Sequence, residues 1–260
     1  MKSEFMKKIS INDGSGDKIP IPVDNLDYGD NFTFSSITNT KFLGTWCSLG
    51  TSITWYDTNG RIGYQTRVQR KIHFDGYINL GKSGYTIQMF VNEFLDSIPI
   101  ARYYTIEFGI NDFLFGGMDG KRNGTPIGSV EDFKNGTGVE TFYGAYRMII
   151  DKIYSLNPDA LIIVCSTTQG EGGATRWEQK IWARNPTGHT IMDYANAAYE
   201  IAKLCSFPFC DFFGLSGINK WTLERKTHDK LHPNGFGYEG MADVLISTFL
   251  SIPNINLIKT

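Results

Sequence analysis

FLGTWCSLGTSIT, residues 42–54, sets the reading of the whole chain. Its first nine residues form an apolar run with no polar face, the pattern of a strand covered on both sides. Gly50, Thr51 and Ser52 break that run, and GRIGYQTRVQRKIHF (60–74) then carries an amphipathic helical stripe. The alternation recurs down the chain. GYINLG (76–81) reads as a second strand, TIQMFVNEFLDSI (86–98) as a helix and RYYTIEFG (102–109) as a third strand. Residues 139–156 place Phe142, Tyr146, Ile149, Ile150 and Ile153 on one helical face, and ALIIVCS (160–166) is the clearest strand. A helix at 191–204, a strand at 207–212 and a helix at 235–250 complete the series. Strands alternating with helices predict a mostly parallel sheet with helices on both sides, an α/β fold in three layers. In such sheets ligands bind beyond the carboxyl ends of the strands, so the residues that follow each strand are the candidates for chemistry.

The length of 260 residues suits one α/β domain with a short extension. Residues 1–40 are polar and rich in Gly, Asp and Asn; they read as an N-terminal arm or small accessory segment, with the domain at 41–260. The formal charge of −2 and the lack of a basic run argue against a nucleic-acid partner. No segment approaches a membrane span, and the lysine-bearing N-terminus lacks the apolar stretch of a secretory signal, so a soluble protein is expected, cytoplasmic or reaching a virion or the exterior by a route without a signal. Cys47, Cys165, Cys205 and Cys210 form no C-x-x-C pair. Cys47 and Cys165 fit as small core residues, and the buried-strand pattern FPF between Cys205 and Cys210 weighs against a bridge there.

Four places after strands carry candidate groups. Ser52 stands on the turn from the first strand into a helix, where it is either an exposed hydroxyl or a helix cap. Gly81 to Gly84 follow the second strand, where a glycine lets a backbone N–H approach a ligand. Asn111 ends the third strand and can aim its amide into the cleft as a neutral donor, the kind an oxyanion requires. Near the C-terminus, Asp229 stands three residues before His232, a spacing that lets a carboxylate fix the tautomer of an imidazole. His228 and His232 have a metal-ligand spacing, but Pro233 disfavours a helix there and the glutamate of a metalloprotease is absent, so no metal is expected.

Ser, Gly, Asn and Asp-x-x-His in that order resemble the SGNH hydrolases, or GDSL esterases and lipases, over about residues 41–250. The family's Gly-Asp-Ser block corresponds to Gly50-Thr51-Ser52, its second block to Asn79 through Gly84, Gly-x-Asn-Asp to Gly109 through Asp112, and Asp-x-x-His-Pro to Asp229 through Pro233. The resemblance implies a flavodoxin-like α/β/α sandwich around a five-stranded, mostly parallel sheet. It implies Ser52 as nucleophile, His232 as general base and Asp229 as its orienting partner. The Ser52 and Gly84 N–H groups and the Asn111 side chain would form the oxyanion hole, without metal or cofactor. One position departs from the pattern: Thr51 replaces the aspartate of Gly-Asp-Ser, with a hydroxyl that can hydrogen-bond locally but brings no charge.

Two long inserts stand where specificity loops belong. Residues 113–138 are rich in Gly, Asn and Asp, and 167–190 carry Gln169, Arg176, Trp177 and Trp182. Aromatic faces beside amide and guanidinium groups suit a sugar ring, though such aromatics also pack their own loops. Neither insert is greasy enough for a lipid tunnel. The expected substrate is therefore a small-molecule or glycan ester, O-acetyl before a lipid ester or thioester. The contrasting reading is a glycan- or receptor-binding module of a phage-tail-like protein with weak or no activity. These motifs speak to a substrate and not to oligomeric state.

Overall fold

The computed structural model describes residues 9–12, 18–21, 40–59, 61–114, 125–171, 180–252 and 257–259. Two short strands, β1 (Ile9–Asn12) and β2 (Lys18–Ile21), pair antiparallel in a sheet of their own. The main sheet is built on β3 (Thr40–Gly50). It leads through α1 (Ser52–Trp55), a 3-10 turn (Tyr56–Asn59) and α2 (Tyr64–Lys71) into β4 (Ile72–Gly81). Then come α3 (Ile87–Phe94), β5 (Tyr103–Glu107), α4 (Ile110–Leu114), α5 (Val130–Asn135), α6 (Phe142–Leu156) and β6 (Leu161–Cys165). The series closes with α7 (Ile191–Leu204), β7 (Phe209–Cys210), α8 (Phe212–Leu215), α9 (Leu223–Lys226), α10 (Gly235–Leu250) and β8 (Leu257–Lys259).

The strand order β4-β3-β5-β6-β7 is parallel throughout, and β8 adds antiparallel to the start of β3. This is the doubly wound order of the flavodoxin-like fold. The chain moves outward from β3 to β4 and then crosses back to β5, so a topological switch point lies between β3 and β5. Ser52 follows β3 and Asn111 follows β5, which puts both at the carboxyl-end crevice that the switch opens. Helices α2, α8 and α10 pack together on one face, and α3, α5, α6 and α7 on the other.

The strands read as apolar runs because both their faces are covered: every residue of β5 is buried, and Ile162 to Cys165 of β6 are buried. Under β3 the rings of Phe42, Trp46, Phe74, Tyr103 and Phe249 meet with centroids 5.1 to 6.2 Å apart. Trp46 Nε1 donates to Thr105 Oγ1 at 3.0 Å, so the indole is buried without an orphaned donor. Each such ring contributes on the order of 2 kcal/mol by burial.

Several element boundaries differ from the pattern-based expectation. The helical stripe of 60–74 is shorter than read: α2 stops at Lys71, and Ile72, His73 and Phe74 already pair with β3. The expected strand at 207–212 shrinks to Phe209–Cys210, because Asp211 accepts from Gly214 N and caps α8. The helix read from residue 139 starts at Phe142, where the Thr141 hydroxyl caps Gly144 N. The insert 113–138 is not structureless. Part of α4 lies in it, as does α5, which Ser129 and Asp132 start as a reciprocal capping box. All four cysteines are free; Cys165 and Cys210, not Cys205 and Cys210, are neighbours, as register partners on β6 and β7.

Candidate active site

The turn after β3 is held from four sides. Thr51 is the N-cap of α1, its hydroxyl accepting from Ile53 N. The carbonyl of Thr54 accepts from Asn79 Nδ2 at 2.8 Å and Gln65 Nε2 at 2.9 Å, tying α1 to β4 and α2. Lys82 N donates to Gly50 O at 2.8 Å. Gly81 permits this packing: a Cβ there would lie 2.2 Å from Trp55 N. Ser52 is thereby fixed as the first residue of α1, nearly buried, with its hydroxyl at the crevice.

His232 reaches it from the far end of the chain. Ser52 Oγ and His232 Nε2 are 3.1 Å apart, and His232 Nδ1 and Asp229 Oδ2 are 2.7 Å apart. The loop carrying these groups is tightly built. Asp229 Oδ1 accepts from the backbone N–H of Leu231 and of His232, Lys230 adopts φ 66°, and His228 N donates back to His232 O. Thr227 and Pro233 form an isolated bridge, and Asn234 caps α10 while donating to the carbonyls of Arg225 and Thr227. Burial would raise the Asp229 carboxyl, but the hydrogen bonds from the His232 ring and backbone outweigh it and hold it below the ordinary aspartate range. With Nδ1–H donated to Asp229, Nε2 is left as the acceptor that faces the serine hydroxyl.

Gly84 and Asn111 are joined through one residue. Asn111 Nδ2 donates to the carbonyl of Tyr85 at 2.9 Å, which fastens the end of β5 to the loop after β4. Gly84 has φ +80° and nothing within 4 Å of where a Cβ would stand, so it holds a left-handed turn with open space in front. A hollow of about 550 Å³ is lined by Ser52, Asp229 and His232 together with Trp55, Tyr56, Arg61, Ser83 and His228, and Gly84 stands one residue beyond its rim at Ser83.

Other expected groups are placed elsewhere. Gln169 spends its amide on the carbonyl of Phe213 at 3.2 Å. Arg176 and Trp177 lie outside the described residues. Trp182 is exposed and meets Trp221 edge-on at 6.0 Å. His228 stacks on Tyr56 instead of converging with His232, and among the described residues no cluster of three or more His, Cys, Asp or Glu has the arrangement of a metal site.

Pattern reading passed over Glu107 altogether. It ends β5 fully buried, and its Oε2 accepts from Thr51 N, Thr51 Oγ1 and Thr54 Oγ1. Burial pushes it up to about 7, against the lowering effect of the Thr51 and Thr54 donors. Burial likewise pushes Asp112 up to about 7, although Ile87 N and Gly109 N donate to it and so lock α3 and α4 to the sheet. The available signal was an acid inside an otherwise apolar strand, which a buried position tolerates only when donors surround it.

A serine hydroxyl on an imidazole that is itself set by a carboxylate is an arrangement able to deprotonate the serine for nucleophilic attack. Comparison with known families agrees with that chemistry. Residues 48–239 match the model of the GDSL-like lipase/acylhydrolase family. The chain belongs to this family. As a GDSL-type hydrolase it shares its fold with a possible lipase from Chitinophaga pinensis, 24% identical at a TM-score of 0.65, covering 80% of this chain and 98% of that one. A protein from Lactobacillus plantarum is 23% identical at 0.67, covering 81% and 98%. A catalytic mutant of an acetylxylan esterase from Geobacillus stearothermophilus is 15% identical at 0.52, covering 82% and 96%. Among curated proteins none matches significantly. Among the described residues no helix is long and apolar enough to cross a membrane.

Proposed function

We propose that this GDSL-type hydrolase is a serine esterase that removes short acyl groups, O-acetyl above all, from a carbohydrate. The observation that carries the proposal is the relay Ser52 Oγ–His232 Nε2–Asp229 at 3.1 and 2.7 Å. In the first half-reaction Ser52 Oγ attacks the ester carbonyl carbon while His232 Nε2 takes its proton. The carbonyl oxygen becomes an oxyanion facing the Ser52 and Gly84 N–H groups and the Asn111 amide, each such donor contributing about 3 kcal/mol to the transition state. The intermediate collapses as His232 returns the proton to the departing sugar oxygen, leaving an acyl-serine. Water, deprotonated by His232, then attacks that acyl group, and the serine leaves with the proton. Asp229 keeps its charge throughout and stabilises the imidazolium that forms twice in the cycle.

The carbohydrate half of the proposal rests on the hollow's walls. Trp55 and Tyr56 line it together with the hydroxyl of Ser83 and the triad, a mixture of aromatic and polar groups that suits a sugar ring better than an acyl chain. The acetylxylan esterase with the same fold acts on an acetylated glycan, which is compatible with this reading. The test has two stages. Wild type is expected to hydrolyse p-nitrophenyl acetate and to be labelled by a fluorophosphonate, and Ser52→Ala to do neither; labelling of Ser52→Ala at the wild-type rate would sink the triad. Acetate release from a panel of O-acetylated polysaccharides then tests the sugar.

A further inference from the structure

Arg61 shares the hollow with Ser52, His232 and Asp229. Its guanidinium lies over the Tyr56 ring, 5.1 Å from the centroid, and Tyr56 lines the same hollow. Arg67, the next arginine along the chain, pairs with Glu239. Among the described residues Arg61 has no carboxylate partner. The two acids in its neighbourhood are committed elsewhere. Asp57 gives one oxygen to Gly63 N and the other to Thr66 N at the start of α2. Asp229 is held by the ring of His232 and by the backbone N–H groups of Leu231 and His232. Arg61 is therefore a permanent cation in the wall of the hollow with no ion-pair partner among the described residues, while Asp229 in the same wall keeps its negative charge against His232.

A guanidinium in that state is matched by a carboxylate, which it can grip through two parallel N–H donors. We propose that the alcohol half of the substrate is anionic, a sugar bearing a carboxylate near its acylated hydroxyl, and that Arg61 is the residue that selects it. The proposal rests on the carbohydrate-esterase reading above, but its charge component stands apart from the sugar and is tested separately. Because Arg61 is exposed to solvent, its contribution is screened, and a three- to tenfold preference, weakening with salt, is the scale to expect.

The experiment compares kcat/KM for pairs of esters that differ in the charge of the alcohol half: 4-acetoxybenzoate against phenyl acetate, and O-acetylated oligogalacturonides against O-acetylated xylo-oligosaccharides. The reading is the charged-to-neutral ratio within each variant. The expected result is a ratio that falls three- to tenfold from wild type to Arg61→Ala, is largely kept by Arg61→Lys, and declines as sodium chloride is raised. A ratio that is the same in wild type and Arg61→Ala for both pairs overturns the assignment of Arg61. If the aryl esters are cleaved and neither glycan releases acetate, the carbohydrate reading fails, and the aryl pair alone then decides whether Arg61 selects charge.

Discussion

Thr51 donates its hydroxyl proton to Glu107 Oε2 at 2.9 Å, and its backbone N–H points to the same oxygen. The residue that departs from Gly-Asp-Ser is thus paired with an acid that approaches it from the neighbouring strand. An aspartate at position 51 would set one carboxylate against another in a fully buried site. Thr51 and Glu107 are a matched donor and acceptor, so the threonine supports the Ser52 turn through Glu107's carboxyl instead of a charge of its own.

That pairing makes a prediction about Thr51→Asp. Restoring the family's usual residue should destabilise the protein by roughly 1–3 kcal/mol at pH 8, where both carboxyls lose their protons at a cost of burial and repulsion. Thr51→Asp combined with Glu107→Gln should recover part of the loss, because the amide can donate to the new carboxylate. Urea unfolding of the two single variants and the double variant checks this as a cycle. Additive losses would mean that the two side chains do not act on each other.

A second prediction concerns pH. Burial raises Glu107 and Asp112 to about 7, so between about pH 4.5 and pH 7 the folded chain keeps protons that the unfolded chain has released. Stability from these groups is fully present below the ordinary carboxylate range and is lost as the pH rises through 7, by up to ~1.4 kcal/mol per pH unit and group. Asp75, Asp96, Asp229 and Glu239 are lowered and act in the opposite sense, but only below the ordinary carboxylate range. The urea midpoint should therefore fall between pH 5 and pH 7.5, and Glu107→Gln should flatten that slope. An unchanged slope in the variant would assign the effect to other groups.

Much of the fold was legible because its strands are covered on both faces, which leaves apolar runs such as 160–166 that nothing else produces. The ends were less legible, since they are set by single hydrogen bonds: Asp211 turning 207–212 into a two-residue strand and a helix, or Thr141 delaying α6. At the candidate site, Ser52, Asp229 and His232, and the proposed Gly84 and Asn111, fall at chain positions that a pattern can mark. Glu107 does not, because its meaning lies in the Thr51 hydroxyl 56 residues earlier in sequence and one strand away in space. Arg61 escapes for a similar reason: its place in one hollow with Ser52 and His232 comes from the fold and not from its neighbours in sequence.

Gly81, which ends β4, and Gly84, which follows it, should respond differently to alanine. At Gly81 the new Cβ would lie 2.2 Å from Trp55 N, a backbone atom of the helix that Ser52 begins. Relief requires moving α1, so Gly81→Ala should cost roughly 1–3 kcal/mol and displace Ser52 as well. At Gly84 there is room, and only the left-handed φ of +80° opposes a side chain, a cost of about 1–2 kcal/mol without a clash. Thermal unfolding with fluorophosphonate labelling separates the two. Gly81→Ala should lose labelling out of proportion to its stability, and normal labelling would show that α1 has not moved.

Asp229→Asn tests the relay at its most sensitive point. Asp229 Oδ1 already accepts from Leu231 N and His232 N, so an asparagine here must place its own oxygen toward those donors. Its NH2 then faces His232 Nδ1, which can only accept, and the ring proton moves to Nε2. In that tautomer the imidazole presents a donor to Ser52 Oγ and has no lone pair with which to take its proton. The substitution should lower kcat by ~10²–10⁴ while the fold is kept, as in a triad whose imidazole has the wrong tautomer. The loop stays held through Asn234 and the Thr227–Pro233 bridge, so unfolding should shift little. Measured on p-nitrophenyl acetate, a loss under tenfold would mean that His232 is oriented by something other than Asp229.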